Sequence, residues 1–316
     1  MPIGQPRLGE SSPFSKMERE KEYTSRIVLS FLRHGEKEKA PPPGEEAAGD
    51  TAVRLTPAGR KGALKAGAAF RLPEESMAQA VAKGSPRLRA QETAGLVMAG
   101  AKKAITGDES LEELREKIDG DRKYGSKIGT DPRLDFSAGS GEFGKQMMAA
   151  FKAGRLMEWL VNESDDVARK THEKEGSSYS RSARNVAEIV DGYYRAAKRF
   201  DQLVTDKDYE DTMQRFMGSH QSVTECFLAK AIEMVDGKGE RDAFIEAINK
   251  AGFGFVEGFQ MEIKTFQGGD RRMLIHFQKK DADGKILYEF TGGFGPEQIK
   301  EIINEGKKLD EDTKKE

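Results

Sequence analysis

The chain has 316 residues, of which 34% are charged and 36% are apolar, and its formal net charge is -2. This length can bury a full-size core, and the balanced charge favours neither nucleic acid nor an anionic membrane as a partner. The single cysteine, Cys226, lies in an apolar stretch that is typical of a buried structural thiol. Because we find no apolar segment of ~18 residues and no signal-peptide pattern, we expect a protein of the reducing cytoplasm.

The strongest pattern in the sequence begins at residue 27. Residues 27–32 are apolar apart from Ser30, which is typical of a strand buried on both faces of a sheet. Arg33, His34 and Gly35 follow at the carboxyl end of that strand, where open α/β sheets place their ligands. A cation, an imidazole and a glycine that permits close backbone approach together indicate a phosphate-binding site.

A long polar segment follows this strand. Residues 37–55 include three consecutive prolines at 41–43, which exclude a helix interior or a central strand. We predict a loop beside the site, which could act as a lid or only decorate the surface. Thr56 and Pro57 then supply the N-cap and the first-turn proline of a helix that extends to Phe70.

A second strand and helix are predicted next. Residues 77–82 are weakly apolar and are interpreted as the strand, because Ser85 and Pro86 repeat the same cap chemistry and start a helix. Arg89 falls in the first turns of that helix, where its charge adds to the partial positive charge of the helix N-terminus. Residues 103–105 are a candidate third strand.

The middle of the chain is predicted to be mainly helical. Residues 120–144 are rich in glycine and polar residues and predict a loop, whereas residues 145–161 have helical spacing. Together they indicate a helical insertion over about residues 121–179. Residues 180–203 form a longer amphipathic helix whose apolar stripe is typical of core packing.

The last third of the chain changes from helical to alternating patterns. Residues 211–219 are a compositionally weak strand, and residues 222–234 are predicted to be helical. Residues 253–291 alternate apolar and polar side chains between turn signals, which predicts an antiparallel meander. Residues 296–307 predict a final helix, and the charged tail at 309–316 is expected to be solvated.

Four segments together carry a resemblance to a known family. In this order they resemble the signatures of the histidine phosphatase superfamily, which includes cofactor-dependent phosphoglycerate mutases and many phosphomonoesterases. A lone Arg-His-Gly tripeptide would be weak, but four motifs in the family's order are specific. The segments are RHG at 33–35, SPRLRAQET at 85–93, LREKIDG at 114–120 and GSHQSVTECFL at 218–228.

The resemblance covers roughly residues 26–232 and implies a fold. We expect a three-layer α/β/α sandwich with a mixed, mostly parallel sheet, the helical insertion, and the meander as a C-terminal antiparallel extension. The domain would span residues 25–308, and residues 1–24, which lack apolar periodicity, would form a disordered lead-in.

The same resemblance implies a phosphomonoester hydrolase. His34 would attack phosphorus and form a phosphohistidine that water hydrolyses, which splits one difficult displacement into two. Arg33, Arg89 and His220 would stabilise the charge on the transferring group, and Gln221 would lie beside them at the phosphate. No metal or cofactor is expected. The substrate would be a small phosphomonoester or a phosphorylated protein, and the oligomeric state is left open.

The leaving oxygen needs a proton donor. The family pattern places this acid at Glu116, whose pKa would be raised by the neighbouring phosphate charge. Glu112 and Glu113 lie one helical turn away and are alternatives.

The sequence departs from the family at three places. Ala40 stands where mutases and several phosphatases have asparagine, and Gln221 where many relatives have glycine. The basic cluster that holds the substrate carboxylate in mutases has no convincing match, although Arg122, Lys123 and Lys127 are near the right place. Hydrolysis is therefore favoured over mutase activity, and a phosphate-binding or scaffolding module without turnover is the second alternative.

Overall fold

The computed structural model describes residues 23–39, 49–69, 80–102, 110, 112–113, 116, 128–207 and 209–314. Within these ranges the strands are β1 Tyr23–Arg33, β2 Val81–Gly84, β3 Ile128–Thr130, β4 Thr212–Ser219, β5 Gly258–Phe266, β6 Arg271–Lys280 and β7 Ile286–Phe294. The helices are α1 Pro57–Ala69, α2 Leu88–Lys102, α3 Gly141–Lys152, α4 Leu156–Trp159, α5 Asp165–Thr171, α6 Tyr179–Lys207, α7 Val223–Asp236, α8 Lys238–Ala247 and α9 Pro296–Asp312. In this part of the chain, no helix is both long and apolar enough to cross a membrane.

All seven strands form one mixed sheet in the order β3-β2-β4-β1-β5-β6-β7. The four strands from β3 to β1 are parallel, and β5, β6 and β7 continue from β1 as an antiparallel extension. The predicted α/β fold with a mixed sheet is thereby confirmed. Strand β1 lies at the centre, where its Ile27 pairs with Met213 on one side and Ile263 on the other.

The burial of β1 explains the three layers. Its alternate side chains enter two different cores, as the period of a strand requires. Leu29 and Phe31 join the larger apolar cluster with helices α6 and α7, whereas Leu32 joins a smaller one with Leu55 and Val97 beneath helices α1 and α2. Full burial of each such side chain contributes roughly 1.5–3 kcal/mol, so β1 ties both layers to the sheet. The thiol of Cys226 is also buried and free.

Helices α1 and α2 approach each other unusually closely. A Cβ on Gly67 would lie 2.1 Å from the carbonyl oxygen of Val97, and a Cβ on Gly100 would lie 2.2 Å from that of Leu64. Two glycines, one on each helix, therefore let the two backbones touch.

The helix predicted to start at Ser85 and Pro86 begins later, at Leu88. Ser85 does not cap it, because its hydroxyl accepts the backbone N–H of Arg87 within a turn that precedes the helix (3.2 Å). Strand β2 lies at residues 81–84, and residues 77–79 of the predicted strand lie outside the described residues. Residues 103–105 also lie outside them.

The prediction of a loop over residues 120–144 is wrong in two respects. Helix α3 begins within it, at Gly141 and not at the predicted residue 145. Strand β3 also lies within it, parallel to β2, and is followed by a single 3-10 turn at Pro132–Leu134. A three-residue strand pairs through its backbone alone and leaves no readable periodicity.

The end of the chain is more ordered than predicted. Helix α9 continues to Asp312, and the expectation of a solvated tail is wrong at the buried Leu309 and Thr313, whereas Glu311 is exposed as predicted. Leu309 is fully buried, and Asp310 accepts a hydrogen bond from the buried Arg181 (2.7 Å), which holds this turn against α6. At the other end, β1 already begins at Tyr23. Residues 1–22 of the predicted lead-in lie outside the described residues.

Candidate active site

The carboxyl ends of β1 and β4 place two histidines side by side. The strands pair up to Arg33 and Ser219, and the backbone N–H of His34 donates to the carbonyl oxygen of Ser219 (2.9 Å). His220 follows Ser219 directly, and the two imidazole centroids are 5.2 Å apart. Both side chains are about 5% exposed. The two histidines of the first and last motifs therefore lie next to each other in the fold.

The imidazole of His34 is held in a defined tautomer. Its Nδ1 lies 2.7 Å from the carbonyl oxygen of Gly35, which can only accept, so Nδ1 carries the hydrogen and Nε2 has the free lone pair. The pKa of His34 is lowered to about 3, mainly because burial removes the hydration of the charged form. The neighbouring charges of His220, Arg89 and Arg33 contribute to this shift, and the hydrogen bond to Gly35 opposes it. The ring is neutral at pH 7, as a nucleophile must be.

Gly35 connects this strand end to helix α2. Its backbone N–H donates to Thr93 Oγ1 (3.0 Å), and the Thr93 hydroxyl donates to the carbonyl oxygen of Arg89 (2.7 Å). A Cβ on Gly35 would lie 3.0 Å from the carbonyl oxygen of Gly59. The glycine is therefore needed for close approach, as predicted, and Thr93 is a positioning residue that the sequence reasoning missed.

Arg89 binds a carboxylate of the chain itself. Its two terminal nitrogens donate to Asp50, at 3.1 Å to Oδ1 and 2.8 Å to Oδ2, and the first also donates to the Asp50 carbonyl oxygen (2.7 Å). Lys37 Nζ lies 3.1 Å from Asp50 Oδ1, and Arg87 donates to Oδ2. Burial alone would raise the pKa of the Asp50 carboxyl, but hydrogen bonds from Arg89 and Lys37 outweigh it and hold that pKa below its usual range.

Asp50 belongs to the loop that was predicted to lie beside the site. The described base of that loop is closed by an antiparallel bridge between Lys37 and Leu55. No sequence signal singled out Asp50, because an acid in a polar loop is ordinarily solvated. Whether the loop acts as a lid stays a prediction.

A second carboxylate, which unlike Asp50 is buried, anchors the end of the same loop. Glu92, next to Thr93 in the second motif, is fully buried and accepts hydrogen bonds from Arg54 (2.7 and 2.9 Å) and Arg60 (3.1 Å). Its other oxygen accepts the backbone N–H of Leu55 (2.9 Å). The motif therefore supplies a structural ion pair as well as the arginine of the site.

His220 is held by a carboxylate that sequence reasoning missed. Its Nε2 lies 2.7 Å from Ser85 Oγ and 3.2 Å from Asp135 Oδ1. Burial lowers the pKa of His220, and Asp135 opposes that shift. The pKa of the Asp135 carboxyl is about 2, because hydrogen bonds from His220 and Arg87 outweigh the effect of burial. Asp135 follows β3 and its 3-10 turn, the stretch that was predicted to be loop.

Arg33 is fixed by the loop before β5. Its backbone N–H donates to the carbonyl oxygen of Glu257 (2.8 Å), and its own carbonyl accepts from Val256 (3.2 Å). The guanidinium donates to the carbonyl oxygen of Phe253, and its carbon lies 4.7 Å from the ring centroid of Phe255. Burial lowers the pKa of Arg33, although nearby glutamates oppose this shift.

The position of that loop depends on two polar side chains, one in helix α7 and one just before it. Glu225 is fully buried, and its Oε1 accepts the backbone N–H of Phe253 (2.9 Å). Gln221 donates from Nε2 to the carbonyl oxygen of Ala251 (2.6 Å). The amide of Gln221 is thus engaged with the loop, and its predicted contact with phosphate stays a prediction.

The three glutamates considered for the acid are exposed on helical turns. Glu113 closes a local cap, since its Oε2 accepts the N–H of Ser110 (2.6 Å) and its own N–H donates to Ser110 Oγ (3.1 Å). Among the residues that the structure describes, no hydrogen bond or ion pair joins Glu116 to His34 or His220. Its assignment as the acid stays a prediction.

Several further sequence expectations fall outside the described residues. These are the Ala40 substitution and the weak basic cluster of Arg122, Lys123 and Lys127. Where side chains are described, no group of three or more histidine, cysteine, aspartate or glutamate residues is arranged to hold a metal ion.

The fold and the site define an α/β protein with two adjacent histidines and an arginine at the carboxyl ends of its parallel strands. Residues 29–119 match the model of the histidine phosphatase superfamily (branch 1). This match contains the first two motifs and all but the last residue of the third, LREKIDG, which carries Glu116. It confirms the resemblance to that superfamily that the motifs indicate.

Comparisons with individual proteins give only distant similarities. No significant relative is found among curated sequences. A solved structure named mycobacterial hydrolase 1 is 16% identical, with 82% of this chain and 100% of the other covered and a TM-score of 0.41. A mycobacterial glucosyl-3-phosphoglycerate phosphatase is 15% identical over 79% of this chain and 96% of its own, with a TM-score of 0.41. A phosphoglycerate mutase from Plasmodium falciparum is 12% identical, with 79% and 89% covered and a TM-score of 0.28.

Proposed function

We propose that the protein hydrolyses phosphomonoesters through a phosphohistidine formed on His34. The observation that carries this proposal is the hydrogen bond from His34 Nδ1 to the Gly35 carbonyl, which leaves Nε2 unprotonated inside a cationic pocket. The Nε2 lone pair forms the N–P bond while the bond from phosphorus to the alcohol oxygen breaks. Water then attacks phosphorus, releases phosphate and returns the electron pair to Nε2. The Nδ1–H bond to Gly35 stabilises the imidazolium of the intermediate.

The arginines of the site suit a transferring phosphoryl group. Arg89 already holds the two oxygens of the Asp50 carboxylate in its planar fork, a geometry that also fits two phosphate oxygens. Arg33 would contribute further positive charge, and His220, whose pKa is lowered by burial, would contribute a hydrogen bond. Asp135, with a pKa of about 2, would keep the His220 ring oriented.

Glu116 is retained as the proposed proton donor to the leaving oxygen. Asp135 is a poorer donor, because its low pKa leaves it ionised at neutral pH. The substrate is proposed to be a small phosphomonoester or a phosphorylated protein.

Removal of the nucleophile tests the proposed function. His34→Ala should abolish phosphate release from 4-nitrophenyl phosphate and prevent phosphoryl labelling of the protein. His276→Ala is a matched control, because that half-buried histidine lies in β6 and contacts only Thr291 among the described hydrogen-bonding side chains (3.4 Å). Unchanged thermal midpoints would show that both variants fold.

Two results would contradict the proposal. One is near wild-type turnover by His34→Ala, and the other is a trapped phosphoryl group on a different residue. Phosphoryl transfer between the positions of a phosphoglycerate that outpaces phosphate release would instead identify a mutase.

A further inference from the structure

An exposed aromatic side chain stands beside the proposed nucleophile. Phe255 is 51% exposed, and its ring centroid lies 6.3 Å from that of His34. Its ring also lies over the guanidinium of Arg33, at 4.7 Å. Single exposed apolar side chains are common on protein surfaces, so it is the position of this ring beside His34 and Arg33 that connects it to the site.

The backbone that presents Phe255 is held in a strained conformation. Val256 has φ of 60°, a left-handed value that β-branched residues rarely adopt. Two backbone hydrogen bonds fix this loop to Arg33. The N–H of Val256 donates to the carbonyl oxygen of Arg33 (3.2 Å), and the N–H of Arg33 donates to the carbonyl oxygen of Glu257 (2.8 Å). Glu257 is itself bound by Lys279 (2.6 Å). Such strain persists only where the surroundings impose it, and it is concentrated at functional positions.

A cavity of about 460 Å³ lies against Phe255 and Val256. Its floor is formed by small residues of helix α1, among them Gly59 and Gly62, and Glu36 and Lys65 also line it. The ring of Phe255 both lines this cavity and lies beside His34, so the cavity and the proposed site share this side chain. The volume lies within the usual range for small-molecule sites, roughly 300–1,000 Å³.

We infer that Phe255 is a specificity-determining residue whose ring packs against the leaving group of the substrate. The preferred substrates are therefore phosphomonoesters of an aromatic alcohol, in which a flat ring lies between Phe255 and the glycine-rich floor of the cavity. This inference rests on the proposed function, because it assigns the leaving group to the cavity and the phosphoryl group to His34.

Binding of two non-hydrolysable ligands separates the aromatic contact from the phosphate contact. Wild-type protein should bind phenylphosphonate about tenfold more tightly than methylphosphonate, the size of effect that one aromatic contact provides. Phe255→Ala should remove most of this difference, while its affinity for methylphosphonate should stay within about twofold of the wild-type value. Phe255→Trp should retain the preference for phenylphosphonate. Phe151→Ala, at a side chain that is 49% exposed on α3, is the matched control and should change neither affinity.

Three outcomes would overturn the inference. These are equal affinities of wild-type protein for the two phosphonates, equal losses for both ligands in Phe255→Ala, and loss of the preference in Phe151→Ala. Equal losses would show that Phe255 acts only by covering Arg33.

The inference and the proposed function fail separately: a wild-type preference for phenylphosphonate without any phosphatase activity refutes only the function. Turnover of phenyl and alkyl phosphates with no change in their ratio in Phe255→Ala refutes only the inference.

Discussion

Asp50 occupies the fork of Arg89 that a phosphate would take. Asp50→Asn removes the negative charge while keeping the side-chain shape, so inorganic phosphate should compete better for Arg89 and Lys37. Because the Asp50 side chain is 39% exposed, the gain should be modest, about three- to tenfold in the inhibition constant of phosphate. Glu38→Gln, at an exposed acid of the same loop, is the control and should have little effect. Weaker inhibition by phosphate in Asp50→Asn would show instead that Asp50 aligns Arg89.

The role of the acid can be tested through the leaving group. If Glu116 protonates the leaving oxygen, Glu116→Gln should slow hydrolysis of alkyl phosphates by ~10²–10⁴-fold and affect 4-nitrophenyl phosphate far less, because nitrophenolate needs little help. Asp135→Asn should slow both substrates to a similar extent, since Asp135 acts through His220. Steady-state rates for the two substrates decide the assignment. A loss confined to alkyl phosphates in Asp135→Asn would move the acid to Asp135.

The site illustrates which residues a sequence can identify. Arg33, His34 and Arg89 were predictable because each follows a local signal, a buried strand or a helix start. Asp50 and Asp135 were not, since each reaches the site from a segment with no readable periodicity. Their importance arises from long-range neighbours, which composition does not encode.

At the scale of elements, the contact between α1 and α2 depends on glycine. Gly67→Ala should lower the free energy of unfolding by about 1–3 kcal/mol, because its Cβ would collide with the Val97 carbonyl at 2.1 Å. Gly62→Ala is a control on the same helix, where a Cβ would meet nothing within 4 Å. There the substitution should stabilise the protein by about 0.5–1 kcal/mol through helix propensity. Urea unfolding of both variants measures the difference, and equal effects would contradict the close approach of the helices.

The elements themselves were predicted to different degrees. Helix α1, the central strand β1 and the antiparallel meander follow from caps, apolar runs and alternation, and the structure contains all three. Strand β3 is too short to leave a pattern. The last turn of α9 looks like a charged tail in the sequence, but Asp310 and Leu309 find partners on α6 and in the core, and only the tertiary structure supplies them.

At the scale of the whole molecule, the buried imidazole of His34 makes stability depend on pH. Its pKa falls from an ordinary 6.5 to about 3 on folding, so between these values the unfolded chain binds a proton that the folded protein does not. The contribution of neutral His34 to the free energy of unfolding is fully present above pH 6.5. It is lost as the pH falls, by up to about 1.4 kcal/mol per pH unit. Asp135 affects only the acid end of this range, because its shift acts below its unfolded pKa of 3.8.

His34→Gln should therefore lose less stability than wild type on acidification. Between about pH 7.5 and about pH 5, the wild type should lose up to about 2 kcal/mol more of its free energy of unfolding than the variant does. Urea unfolding at each pH measures this difference. His172→Gln, at an exposed histidine, should follow the wild type. An identical pH dependence in His34→Gln and wild type would show that His34 is not neutralised by burial.

The central position of β1 also limits how early the protein can fold during its synthesis. Ile27 is translated well before its partners Met213 and Ile263. At roughly 5–20 residues per second, this apolar strand waits on the order of tens of seconds for its neighbours. During that interval it is a natural target for chaperones and for aggregation. His34 is thus translated well before His220 and the loop that fixes Arg33, so the site around it forms only after those later segments have been made.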